Sequence, residues 1–134
     1  MLSWYVKIIG SCWLAVGLIG AAHAAGSWSA QVQSVMVAMS DRDSRSQPVA
    51  PPSGVLSQAG VIDRIHWRLD APPGSAINVW LCHPEQCVAL SGMRGTVTQL
   101  AGRHANEPLH FRFSLRPGQR PVRVQGLQVI VNYQ

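Results

Sequence analysis

The chain has 134 residues, of which 47% are hydrophobic and 13% charged, and its formal net charge is +5. That length is expected to give one domain with a core of moderate size, with no need to subdivide it. The basic balance rests on ten arginines and one lysine, Lys7, and guanidinium groups favour planar, bidentate partners such as carboxylates and phosphates.

Lys7 is followed by a predominantly apolar run from Ile8 to Ala22 and then by Ala22-His23-Ala24. This is the order of a signal peptide: a charged start, an apolar stretch and a small-x-small cleavage site. The stretch is about 15 residues, against the roughly 20 that a spanning helix needs. Residues 1–24 are therefore expected to be a signal, cleaved after Ala24 or Ala25, with an uncleaved anchor as the alternative. Cys12 lies within the stretch rather than after it, which argues against lipid attachment, so it leaves with the signal. Residues 25–134 then form a single periplasmic domain with no membrane-spanning segment. They carry ten arginines against six acids, a net charge of +4, and no lysine. An exported protein meets anions as lipid headgroups, cell-wall carboxylates or acidic protein faces, and nucleic acid is not an expected partner.

Beyond the signal the dominant period is two. A first strand is expected over Trp28–Met39. The segment Ser40–Gly54 is charged and then proline-rich, too polar to bury enough apolar area to order itself. It is read as a long, flexible, exposed connection, or else as a partner-binding loop that orders on contact. Arg64-Ile65-His66-Trp67-Arg68-Leu69-Asp70 alternates polar and apolar without a fault, as a strand does with one wet and one buried face. Strands follow at Ala76–Cys82, Cys87–Leu90, Gly95–Leu100, His110–Arg116, Pro121–Gln125 and Leu127–Tyr133. Turn formers separate them at Pro72-Pro73-Gly74, Ser91-Gly92, Asn106-Glu107-Pro108 and Pro117-Gly118. About eight short strands predict an all-β fold, an antiparallel β-sandwich of immunoglobulin-like outline, with a small closed barrel as the alternative.

His83-Pro84-Glu85-Gln86 lies between two strand-type flanks as a four-residue loop. It lets Cys82 face Cys87 across a hairpin, at a spacing a disulfide accepts. Only these two cysteines remain after signal removal, and an even count in an oxidising compartment reads the same way. Closing so short a ring contributes about 2 kcal/mol on the loop-entropy account. Its expected job is therefore to fix one hairpin's register.

The chain lacks a Gly-x-Ser-x-Gly elbow, a His-Glu-x-x-His pair and a phosphate-binding glycine loop. A disulfide would occupy the thiol beside His83, and the spacing of His66, His83, His104 and His110 matches no zinc pattern. Asp63, Asp70, Glu85 and Glu107 show no pairing for acid and base work. No catalytic residue, metal or cofactor is expected. The arginines hold more. Arg64, His66 and Arg68 share one strand face, while His110, Arg112, Ser114 and Arg116 share another. If both strands lie in one sheet, the stripes merge into a basic patch for an acidic protein or an anionic envelope component; otherwise they are ordinary charged solvent faces. Trp67 falls on the buried side. Trp80 shares the face of Cys82, either packed on the disulfide or exposed as a contact. The last strand is apolar on both faces, which suits a central position, whereas an edge position would invite strand addition by a partner.

Several motifs together resemble the flagellar protein FlhE family. They are Ala25-Gly26-x-Trp28, Trp67-Arg68, Leu81-Cys82 with its gap to Cys87-Val88-x-Leu90-x-Gly92-x-x-Gly95-Thr96, and Glu107-Pro108-Leu109-x-Phe111. The ending Val124-Gln125-x-x-Gln128-Val129-Ile130-Val131-Asn132-Tyr133 is similar too. Ser40–Gly54 and Arg103–Asn106 match only loosely. The resemblance implies a small periplasmic all-β accessory protein associated with the flagellar export apparatus, not an enzyme and without catalytic residues. It also implies limitation of proton leakage through the export channel and support of orderly assembly and swarming, with export-gate or rod proteins as partners. The family's disulfide carries over onto Cys82 and Cys87. A monomer is expected. Two further readings are a chaperone-like binder of rod or hook subunits acting through a strand edge, and a module that binds envelope polysaccharide or inhibits an enzyme.

Overall fold

Nine strands and no helix make up residues 25–54 and 60–134, the part of the chain that the computed structural model describes. The expected signal, residues 1–24, lies outside the described residues. The strands are β1 (Gly26–Val32), β2 (Val35–Val37), β3 (Ser44–Arg45), β4 (Ile62–Asp70), β5 (Ile77–His83), β6 (Gln86–Leu90), β7 (Arg94–Val97), β8 (His110–Leu115) and β9 (Val122–Tyr133). They form two antiparallel sheets. One runs β1-β9-β4-β7, with β2 also on β9, and the other runs β3-β8-β5-β6. The edges stay open, so the fold is the expected sandwich and not the closed barrel.

Strict alternation explains the layers. On β4, Ile65, Trp67 and Leu69 are buried while Arg64, His66, Arg68 and Asp70 face water. On β8, Phe111, Phe113 and Leu115 are buried between half-exposed His110, Arg112 and Ser114. These inner rows join Val79 and Leu81 of β5 and Leu127, Val129 and Val131 of β9 in one core. Each such side chain contributes roughly 1.5–3 kcal/mol by leaving water. Trp28 reaches this core from β1, and its indole Nε1 donates to Ala105 O at 3.0 Å.

Three expected strand boundaries fall differently, and of these Gly95–Leu100 is the shorter β7, Arg94–Val97. Pro121–Gln125 and Leu127–Tyr133 are one strand, β9, which kinks at Gly126 with φ of 66°. A left-handed glycine of this kind is how a strand bulges without ending. Trp28–Met39 is two strands for the same reason. Val32 pairs with Leu127 and Val35 with Val124, so Gln33-Ser34 cross the kink opposite Gln125-Gly126. The doubly apolar β9 is central, flanked by β4 on one side and by β1 and β2 on the other. That excludes it as the edge a partner would extend.

The largest correction concerns Ser40–Gly54. Ser44-Arg45 form β3 against β8, Val49 bridges to Leu109, and Ser46, Val49 and Pro51 are buried. Two hydrogen bonds join Ser46 to the Phe111 backbone: Ser46 N–H donates to Phe111 O, and Phe111 N–H donates to the Ser46 hydroxyl oxygen Oγ, each at 2.9 Å. Backbone pairing to β8 supplies what the segment's own apolar content lacks. The Cys hairpin is also tighter than expected. His83 pairs with Gln86, leaving only Pro84-Glu85 in the turn. Cys82 and Cys87 are directly opposed and disulfide-bonded, with Cα atoms 4.0 Å apart. Arg103 holds the same turn from outside, donating through Nη2 to Gln86 Oε1 at 2.8 Å and through Nη1 to Glu85 Oε2 at 3.3 Å.

Candidate functional site

The two basic stripes do not merge. β4 belongs to the five-stranded sheet and β8 to the four-stranded one, so Arg64, His66 and Arg68 face away from His110, Arg112 and Arg116. The condition for a single patch, both strands in one sheet, is not met, and the stripes form two surfaces of different chemistry, because strands of opposite sheets turn their wet faces in opposite directions.

On the four-stranded face, Arg112 is the organising residue. Its guanidinium carbon stands 4.4 Å from the centre of the Trp80 ring, since Arg112 and Trp80 are register partners across β8 and β5. Such a stacked cation contributes about 0.5–2 kcal/mol. Nη1 reaches Cys87 Sγ at 3.8 Å, and Nε lies 3.3 Å from Asp43 Oδ2 at an angle that makes no hydrogen bond. Trp80 therefore packs under an arginine that also touches the disulfide. Arg45 of β3 faces Arg112. Arg116 lies just past β8, with its N–H donating to Ala76 O at 3.1 Å.

His110, opposite Cys82 in the register, has its pKa lowered from the ordinary 6.5 by burial first and then by the charges of Arg45 and Arg112. The fold thus favours the neutral imidazole more than the unfolded chain does. Stability from this residue is full above about 6.5 and is lost as pH falls through the depressed folded value. Urea melts across that window should show the domain weakening on acidification, and His110→Gln should flatten the slope. Superimposable stability curves for the two proteins would rule this out.

On the five-stranded face, Arg64 Nε donates to Asp63 Oδ2 at 3.1 Å, and His66 Nδ1 shares a 3.0 Å hydrogen bond with Thr96 Oγ1. Arg68 faces Arg94 directly across β4 and β7. Sequence reasoning missed Arg94 by one residue, because it began that strand at Gly95. It missed Arg45 and Asp43 because they sit in the segment read as unpaired, where Arg45 between Ser44 and Ser46 was the only hint of alternation. Gly95 lies opposite Trp67, and a Cβ there would stand 3.1 Å from the indole. The bare backbone lets the ring lie across β7.

His83 is buried and its Nε2 bonds His104 O at 3.1 Å. Among the described residues, no three His, Cys, Asp or Glu side chains converge as metal ligands do.

This is a small, disulfide-bonded β-sandwich whose polar equipment stands on its outer sheet faces and strand edges. The family model "Flagellar protein FlhE" matches residues 34–134. The flagellar protein FlhE of Escherichia coli is 36% identical over 116 residues, covering 83% of this chain and 88% of that protein. The FlhE proteins of Salmonella typhimurium and Yersinia enterocolitica are each 32% identical, covering 81% and 84% of this chain and 85% and 84% of their own lengths. A solved structure described as the crystal structure of FLHE superposes with a TM-score of 0.73 at 30% identity, covering 82% of this chain and 97% of that one. The chain belongs to the flagellar protein FlhE family.

Proposed function

We propose that the protein is a non-enzymatic periplasmic accessory factor that acts on the flagellar export apparatus, limiting proton leakage and supporting orderly assembly and swarming. The observation that carries this reading is family membership across most of the domain, with the family model spanning residues 34–134. The signal-like order of residues 1–24 supports the compartment. Regulation of a channel requires only that the domain bind one gate state more tightly than another. A disulfide-stapled sandwich with charged outer faces suits that task, and it would meet export-gate or rod proteins as a monomer.

The test is cytoplasmic pH, read with a ratiometric fluorescent protein, in cells that carry export gates but no completed rod. Deleting the gene should lower the pH, and supplying it from a plasmid should restore it. Equal pH with and without the gene would overturn the proton-leak reading. The chaperone-like reading is favoured by a different feature, the open edge at β7. Crosslinks to soluble rod or hook subunits, rather than to membrane components of the gate, would decide for it.

A further inference from the structure

Within the described residues, β7 ends the five-stranded sheet. One hydrogen bond fixes which way its backbone points. Leu69 N–H donates to Met93 O at 2.9 Å, so the hydrogen-bonded positions of the β4/β7 ladder continue in steps of two to Trp67–Gly95 and Ile65–Val97. Arg94 and Thr96 therefore turn their N–H and C=O groups away from β4, toward the open side. Their side chains stand on the outer face. There Arg94 and Arg68 oppose each other, and no carboxylate among the described residues lies within ion-pair distance of either. Like charges directly opposite one another destabilise a sheet, and an anion placed between the two would relieve that repulsion.

Two hollows flank the same edge. One of about 310 Å³ lies on the outer face, bounded by His66, Arg68, Arg94 and exposed Ile130. The other, about 330 Å³, opens between β7 and β6, the edge strand of the other sheet, and is lined by Val88, Leu90 and Val97 together with Ser91, Thr96 and Gln99, so its exposed surface is mainly polar. A strand laid on β7 would point alternate side chains to these two sides.

We propose that an extended segment of a partner protein adds to β7 as a further strand, setting acidic side chains beside Arg94 and Arg68 and short side chains into the cleft between β7 and β6. Main-chain bonds to Arg94 and Thr96 would supply affinity, and the alternating side chains would supply selectivity. A second copy fits poorly, because pairing β7 with β7 would bring two arginine pairs together. Residues 1–24 contain no Asp or Glu and so cannot neutralise the pair. The inference deepens the strand-edge reading of β7 given above, and purified protein suffices to test it, so its failure would leave the proton-leak reading standing.

The probe is a short fluorescein-labelled peptide alternating glutamate and valine, followed by anisotropy, with a lysine–valine peptide and free glutamate alongside. The glutamate peptide should bind and the lysine peptide should not. Arg94→Glu should weaken glutamate-peptide binding by about tenfold or more, as expected when like charges are juxtaposed, and should admit the lysine peptide. Thr96→Pro, which removes an outward N–H without touching the β4 ladder, should abolish binding; if it fails to fold, Arg94→Glu carries the test. Binding that is absent, insensitive to Arg94→Glu or equal for the two peptides would overturn the proposal. So would free glutamate competing as well as the peptide, which would mean a small-carboxylate site, or a β7-dependent dimer in ultracentrifugation.

Discussion

Phe111→Ala is expected to destabilise the domain by about 3–5 kcal/mol, the usual cost of removing a large aromatic from a packed interior. Phe111 is fully buried, faces Leu81 across β5 and β8, and has Phe113 as its ring neighbour at 6.2 Å. Its backbone also carries both bonds to Ser46. The residue thus ties the core, the four-stranded sheet and the 40–54 segment at one point, and collapse around a smaller side chain is opposed from three directions. For a domain stabilised by about 5–15 kcal/mol, such a loss consumes a large share, and Tm should fall by more than roughly 10 °C. Thermal melts of the oxidised proteins measure it directly. A shift of a degree or two would show that the neighbouring side chains fill the space.

Gly126→Val should be the most damaging change outside the core, at about 2–3 kcal/mol for a β-branched residue forced to positive φ. Gly126 sits at φ 66°, and a Cβ there would stand 2.6 Å from Asp70 Oδ2. The carboxylate can swing away, so the backbone conformation dominates. Asp70→Ala added to Gly126→Val should therefore recover little in urea titration. Recovery of most of the loss by the double variant would mean that the side-chain collision, and not φ, makes glycine necessary. Structural damage should concentrate where β1 hands over to β2, because that break mirrors the kink.

The period-two runs made the inner rows of β4 and β8 readable, since their burial follows from alternation alone. The Cys82–Cys87 hairpin was readable because five positions separate two cysteines between strand-type flanks. Which sheet each strand joins was not. β4 and β8 carry the same pattern of basic and apolar residues, and only long-range pairing, β4 with β9 and β8 with β5, sends their wet faces apart. The 40–54 segment hid its strand because Ser44, Arg45 and Ser46 are held by backbone bonds to β8, which composition does not encode. Gly126 looked like a separator since glycine ends strands as often as it bends them, and the choice rests on whether a neighbour crosses the bulge, as Gln33-Ser34 do. Arg94 and Arg68 meet only through the β4/β7 register.

β9 is the last strand in chain order and lies at the centre of the larger sheet, pairing with β1, β2 and β4. Contacts that join Gly26 to Tyr133 span nearly the whole domain, so loop closure must precede most of the ladder bonds that reward it. The four-stranded sheet can begin sooner, from the tight β5–β6 turn. Until β9 arrives, β1 and β4 have no central strand to join and expose apolar rows and unpaired edges, the condition in which chains associate wrongly. The folding of this protein is therefore governed from its far end: the larger sheet closes only when the last dozen residues find their place.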